Sequence, residues 1–249
     1  MHSNRYIIIF VFILTAVVAL VLSSMSTALS DTHKRNEAIF NKRAILAAIE
    51  SEFDTEIEDM SDERILEIFD NRVEQRVVDM EGNIVSPEEV EARGYKGGKA
   101  EHVDMAKEKK KPEADRILPV FIYKNDDTKF YIVSVRGSGL WDEIWGNIAL
   151  KEDFETVAGA SFDHKGETPG LGAEIKDNPS FAAQFKGKKI YNEEGEYTSV
   201  YVRKGGAKNE RYEVDGISGA TVTADGVTEM LYRGIKYYQP FFKNVKSEG

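Results

Sequence analysis

The sequence predicts an α+β fold in which a single N-terminal transmembrane helix precedes a domain built on a mostly antiparallel sheet packed by helices. Three patterns predict it. From Tyr6 to Leu22 no residue is charged or strongly polar, and from Ile117 to Asp163 short apolar runs alternate with polar turns. Further on, Val227, Met230, Leu231, Gly234, Tyr238 and Phe241 recur every three or four residues, the period of an amphipathic helix.

The apolar run, extended by the small residues Ser23 to Ser30, reaches roughly the 20 residues that a bilayer requires. Ser26-Thr27-Ala28-Leu29-Ser30 also offers small residues suited to signal-peptide cleavage. The run is longer than a typical signal core, so a retained anchor over residues 1–30 is expected. Charge does not orient it: Arg5 stands on one side, while Lys34, Arg35, Lys42 and Arg43 on the other are diluted by Asp31 and Glu37.

Residues 31–72 read as a helical linker region. Ile39, Phe40, Ile45, Leu46 and Ile49 give helical spacing over Asn36 to Ile49, and a second helix is expected over Ser61 to Asn71, with Ser61 as N-cap and Ile65, Leu66, Ile68 and Phe69 inward. The main domain is placed at 73–249. It begins with a strand from Val73 to Asp79 and a turn at Glu81-Gly82-Asn83. Gly94 to Glu113, rich in Gly, Lys and Glu and carrying the run Lys107 to Lys111, reads as an exposed loop; a docking or lipid-headgroup patch is the functional alternative.

Strands are expected at Ile117 to Tyr123 and Phe130 to Val135, around the hairpin signal Lys124-Asn125-Asp126-Asp127-Thr128, then at Gly146 to Leu150 and Thr156 to Phe162. Asn178-Pro179 opens a short helix through Phe185, stopped by Gly187. Further strands follow at Lys188 to Tyr191, Ser199 to Arg203 and Arg211 to Val214, before one long helix from Val222 to Phe242.

The 249 residues are 41% hydrophobic with a formal net charge of -10, from 43 acidic against 33 basic residues. Without a basic stripe, nucleic acid is not an expected partner. The absence of cysteine excludes disulfides, thiolate zinc sites and an iron–sulfur cluster held by this chain alone. Electron handling would need an organic cofactor.

Asp215-Gly216-Ile217-Ser218-Gly219-Ala220-Thr221-Val222-Thr223 links a predicted strand to the long helix. A glycine-rich entry exposes unpaired amides and the positive end of the helix dipole, which suits a phosphate. An ordinary turn capped by Ser218 would look the same, and the residues alone leave both readings open. His164 to Glu174 forms a second motif, in which Glu167-Thr168-Pro169-Gly170-Leu171-Gly172 must turn compactly. The third motif, Arg136 to Gly146, holds the only two tryptophans, Trp141 and Trp145. They suit stacking on an aromatic ligand or plain core packing, and core packing is the commoner use.

The Asp215-to-Thr221 segment resembles the flavinylation motif of covalent FMN-binding domains, in which a flavin transferase splits FAD and joins FMN phosphate to the last Thr. The resemblance implies Thr221 as phosphoester acceptor, with Asp215, Gly219 and Ala220 in the segment that the transferase recognises and Asp215 orienting the magnesium chemistry of attachment. Ser218 and Thr223 are neighbouring hydroxyls, for which helix capping is the simpler reading. Glu167 to Gly172 is similar to the loop that lies beside the flavin in these domains, with Thr168 offering polar contacts, Gly170 and Gly172 shaping the turn, and Leu171 facing the ring. The run of Arg136 to Gly146, with Trp141 and Trp145, resembles the C-type subunit family of sodium-translocating NADH:quinone reductases more than the related G-type subunit family of Rnf-type electron-transport complexes. The former resemblance implies a single-pass protein of the bacterial inner membrane with its domain in the periplasm, working with other membrane and peripheral subunits. Electrons would come from an iron–sulfur centre and pass to a second flavin during NADH oxidation, quinone reduction and sodium export. Residues around 95 to 113 have no counterpart in it.

Other classes fit less well. Of His2, His33, His102 and His164 only the last lies near a motif, and no Gly-x-Ser-x-Gly elbow exists for a hydrolase. Asp163, His164 and Glu167 could ligate a metal but read as solvated surface. No dinucleotide fingerprint appears. A membrane-anchored, non-redox anion-binding module explains the glycine-rich turn without explaining the coincidence of three motifs.

Overall fold

The computed structural model describes residues 4–125 and 128–248, so Asp126 and Asp127 of the expected hairpin turn lie outside the described residues. The chain divides into two compact units, Met1–Phe40 and Asn41–Gly249. In the first, the apolar run is helical. It belongs to α1 (Asn4–Ala47), the one helix among the described residues that is long and apolar enough to cross a membrane. No break separates it from the helix expected over Asn36 to Ile49.

The second unit is built on five strands: β1 (Val73–Asp79), β2 (Ile117–Lys124), β3 (Lys129–Ser138), β4 (Glu143–Leu150) and β5 (Val157–His164). They pair in chain order, each antiparallel to the next, so the sheet is a meander. Because side chains alternate across a strand, Tyr131, Val133 and Val135 of β3 face one layer while Phe130, Ile132 and Ser134 face the other. Of the helical linker region expected over residues 31–72, residues 41–72 group with the sheet in the second unit. From Asn41 onward the chain packs on the second face of the sheet, where Ser161 Oγ donates to Ala44 O at 2.7 Å and Phe69 of α2 (Asp62–Arg72) meets Phe121 at 6.0 Å. Ser61 caps α2 as expected, accepting from Arg64 N.

The other face carries the main core. It is closed by α7 (Thr221–Tyr237), α8 (Gln239–Glu248) and a small layer containing α5 (Glu174–Asp177), α6 (Pro179–Ala183) and a parallel pair, β6 (Tyr201–Arg203) with β7 (Glu213–Asp215). The single helix expected from Val222 to Phe242 is thus two. Pro240 has no N–H to continue the ladder, and the Tyr238 hydroxyl at the break is drawn into the core, donating to Ser134 O at 2.9 Å and Pro119 O at 3.1 Å. The expected strand at Lys188 to Tyr191 makes only isolated bridges, Thr156 with Lys189 and Tyr191 with Tyr197.

The lysine-rich segment is folded rather than looped out. After α3 (Pro87–Ala92) it runs through short helical turns and α4 (Met105–Glu108), with Tyr95, Ala100, Val103 and Glu108 buried. Glu108 explains the docking: its carboxylate accepts from Ile117 N at 2.9 Å and Lys111 Nζ at 2.6 Å, and from the Tyr95 hydroxyl. Local composition conceals this, because the bonds depend on one acidic residue turned inward.

Candidate functional site

Two turns of the same kind frame Thr221. In Thr168-Pro169-Gly170-Leu171 the Leu171 amide returns to Thr168 O at 3.1 Å, with Gly170 at φ +74°. In Ile217-Ser218-Gly219-Ala220 the Ala220 amide returns to Ile217 O at 3.2 Å, with Gly219 at φ +77°. A turn with positive φ at its third position calls for glycine, and proline before it presets the first bend. The turns meet, since a Cβ on Gly219 would stand 2.7 Å from Leu171 Cδ2.

The second turn delivers the chain to α7, whose first residue is Thr221, half-buried, after Ala220. No side chain caps this helix. The expected capping by Ser218 is therefore not observed: Ser218 lies two residues ahead of the cap position and is exposed. Nor does Thr223 cap; it is buried in the first turn and donates through Oγ1 to Glu167 Oε2 at 2.6 Å. The first helix amide with an acceptor is that of Ala224, 2.9 Å from Ala220 O, so those of Thr221, Val222 and Thr223 have none among the described residues. Such a start presents donors and partial positive charge.

Glu167 also receives the Trp141 amide on Oε1 at 3.0 Å, and Trp141 Nε1 donates to Thr168 Oγ1 at 3.1 Å. Core packing, the commoner role for a tryptophan, does not hold for Trp141, which is 69% exposed. Leu140, Leu171 and Val222 are likewise exposed. Trp145 is not brought to this place. It alternates with the core residue Ile144 and lies half-buried on the opposite face of the sheet, with the Arg136 guanidinium 4.9 Å from its ring.

Asp215 ends β7 and is exposed; its Oδ1 accepts from Ala207 N at 2.7 Å, and its amide donates to Gln184 Oε1 at 2.8 Å. Gln184 carried no signal in the sequence, because its partner stands 31 residues away. A cleft of about 470 Å³ adjoins the turns, lined by Gly170, Glu174, Phe181, Asp215 and Ser218 among others, but not by Thr221.

These residues fit FMN. A hydroxyl stands beside three open amides for the phosphate, and Trp141, Leu171 and Val222 leave apolar surface uncovered nearby for a flavin ring.

The FMN-binding domain family matches residues 139–236, a span that contains both turns, Trp141 and Thr221. The C-type subunit of the Na(+)-translocating NADH-quinone reductase of Pseudomonas aeruginosa is 34% identical over 241 residues, covering 88% of each chain. That of Vibrio campbellii is 30% identical over 256 residues, covering 95% of this chain and 93% of the relative. Among solved structures, the corresponding reductase subunit from Parabacteroides distasonis superposes with a TM-score of 0.72 at 35% identity, covering 86% of this chain and 96% of that one. Shewanella oneidensis NqrC gives 0.68 at 26% identity, with 87% and 99% covered. The chain belongs to the NqrC family, the C-type subunits of the Na(+)-translocating NADH-quinone reductase.

Proposed function

We propose that Thr221 carries FMN through a phosphoester and that the chain is the membrane-anchored, electron-carrying flavin subunit of its reductase complex. The observation that carries this reading is the uncapped start of α7 at Thr221, set against the Thr168–Leu171 turn. In attachment, a flavin transferase joins Thr221 Oγ1 to the FMN phosphorus as the pyrophosphate bond of FAD breaks; AMP leaves and the hydroxyl proton is released. The open amides of the first turn would hold the phosphate oxygens, and Leu171 and Trp141 would shield the ring from water. Ser218 and Asp215 line the adjoining cleft.

When bound, FMN supplies one-electron transfer between an iron–sulfur centre and a second flavin on neighbouring subunits, within a complex that oxidises NADH, reduces quinone and exports sodium. Residues 1–30, which include the apolar part of α1, anchor the chain in the bacterial inner membrane, with the domain on the periplasmic side. There a covalent tether prevents loss of a cofactor that no local pool replaces.

The test is the mass of the proteolytic peptide containing Thr221, from cells that make the transferase, with ultraviolet fluorescence of the denatured chain. A peptide heavier by FMN and a fluorescent band, both lost in Thr221→Ala, are expected. An unmodified wild-type peptide overturns the covalent attachment to Thr221. Flavin retained in Thr221→Ala moves the attachment to Ser218 or Thr223.

A further inference from the structure

The geometry points to Glu167 as a positioning residue that locks the Trp141 segment, the Thr168–Leu171 turn and the first turn of α7 into one arrangement; this rests on Thr221 as the flavin carrier. Glu167 is only 5% exposed, so it acts through its neighbours. A buried carboxyl group is tolerated only when hydrogen-bonded. Here both oxygens accept, from Trp141 N at 3.0 Å and Thr223 Oγ1 at 2.6 Å, partners 26 residues before it and 56 after it. Its own amide donates to His164 Nδ1 at 3.2 Å, which ties it to the end of β5.

Two glycines clear the space for this carboxyl group. A Cβ on Gly139 would collide with Glu167 Oε1, and one on Gly172 with Oε2, which also leaves Thr223 Oγ1 only 2.6 Å from that added carbon. Neither glycine is at positive φ, so conformational freedom does not demand them; the carboxyl group does. Every apolar surface offered to the flavin is tied to the same group. Trp141 is held through its amide, Val222 through the adjacent Thr223, and Leu171 through the turn that Glu167 leads into.

Releasing Glu167 therefore frees three walls at once and lets the attached flavin take several orientations, while Thr221 itself is untouched. The experiment uses the full chain produced with the transferase, as wild type, Glu167→Ala, Glu167→Gln and Thr223→Val. Each is read by the mass of the Thr221 peptide, by the visible circular dichroism of the attached flavin and by its midpoint potential, with far-ultraviolet dichroism as the control for folding. Glu167→Ala and Thr223→Val are expected to lose the visible dichroism and shift the potential. Glu167→Gln is expected to restore the dichroism, because its amide oxygen still accepts from Trp141 N and its NH2 donates to Thr223 Oγ1. Should Glu167→Ala fail to fold, Thr223→Val, which removes one bond at constant volume, gives the same readout.

Unchanged dichroism and potential in Thr223→Val and in any folded Glu167→Ala, on a flavinylated wild type, overturn the role of Glu167 alone. So does a Glu167→Gln variant that behaves like the alanine. An unmodified wild type overturns the Thr221 reading, and this inference with it.

Discussion

Leu171 packs Cδ2 against Gly219 so closely that a Cβ there would lie 2.7 Å away. The two turns that frame Thr221 thus touch through a side chain on one and its absence on the other. Gly219→Ala meets this contact and a φ of +77° together. It is expected to cost about 1–2 kcal/mol from the left-handed backbone and to lower flavin occupancy at Thr221. Denaturant unfolding and peptide mass measure the two effects; a variant with wild-type stability and loading would show that the turns are not coupled.

The seat of α7 on the sheet is a second test. A Cβ on Gly234 would fall 2.5 Å from Val135 Cγ1 and 2.7 Å from Val135 Cβ, and one on Gly137 2.6 Å from Met230 Cβ. Gly234→Ala overpacks this contact at a cost of about 1–3 kcal/mol. In Gly234→Ala/Val135→Ala only the part of that loss due to Cγ1 should return, because the Val135 Cβ contact at 2.7 Å remains, and thermal unfolding of the four corners of the cycle would reveal it.

Glu108 decides whether the lysine-rich segment is folded. Glu108→Ala strips the Ile117 amide of its partner, at a cost of about 1–3 kcal/mol. Hydrogen exchange of amides 95–111 should accelerate in the variant, while that of β3 and β4 keeps its protection. Equal exchange in both proteins would return the segment to an exposed loop.

Asp153 supplies a pH dependence. Burial works to raise its pKa, but bonds from the Thr156 hydroxyl and from the Thr156 and Glu155 amides, with Lys189 3.4 Å away, bring it from an ordinary 3.8 down to about 2. A folded-state pKa below the unfolded one gives stability that is fully present above the unfolded value and lost as pH falls from about 4 towards 2. Asp153→Asn should be less stable than wild type at neutral pH, and the gap should narrow across that window. Unfolding midpoints measured at intervals of pH test this, and a constant gap would contradict it.

Features that depend on neighbours in the chain were legible in the sequence. Ser61 caps the helix it precedes, and Pro169-Gly170 makes the turn its φ preferences require. The apolar runs of β2 to β5 pair as the polar breaks between them suggest. Each is settled by steric preferences or hydrogen bonds within a few residues, or by alternation along a strand.

What failed depended on residues far apart. Ser218 and Thr223 had the residue types of caps, yet α7 begins after Ala220, with Ser218 outside the helix and Thr223 Oγ1 drawn to Glu167. Trp141 had the bulk of a core residue, yet two hydrogen bonds to the Glu167 loop keep it at the surface. The lysine-rich composition hid Glu108, and the helical period from Val222 to Phe242 ran on through the break at Tyr238.

By itself the sequence determined the apolar helix, the strands of the five-stranded sheet and the pair of glycine turns, since backbone sterics and apolar periodicity are local. Only the tertiary structure decided that the turns meet at Leu171 and Gly219, that Trp141 stays exposed beside them while Trp145 goes to the other face, and that one buried carboxyl group holds the parts together. The physical reason is that a buried acceptor takes whatever donors the fold brings to it, and here the fold brings Trp141 from 26 residues before Glu167 and Thr223 from 56 residues after it.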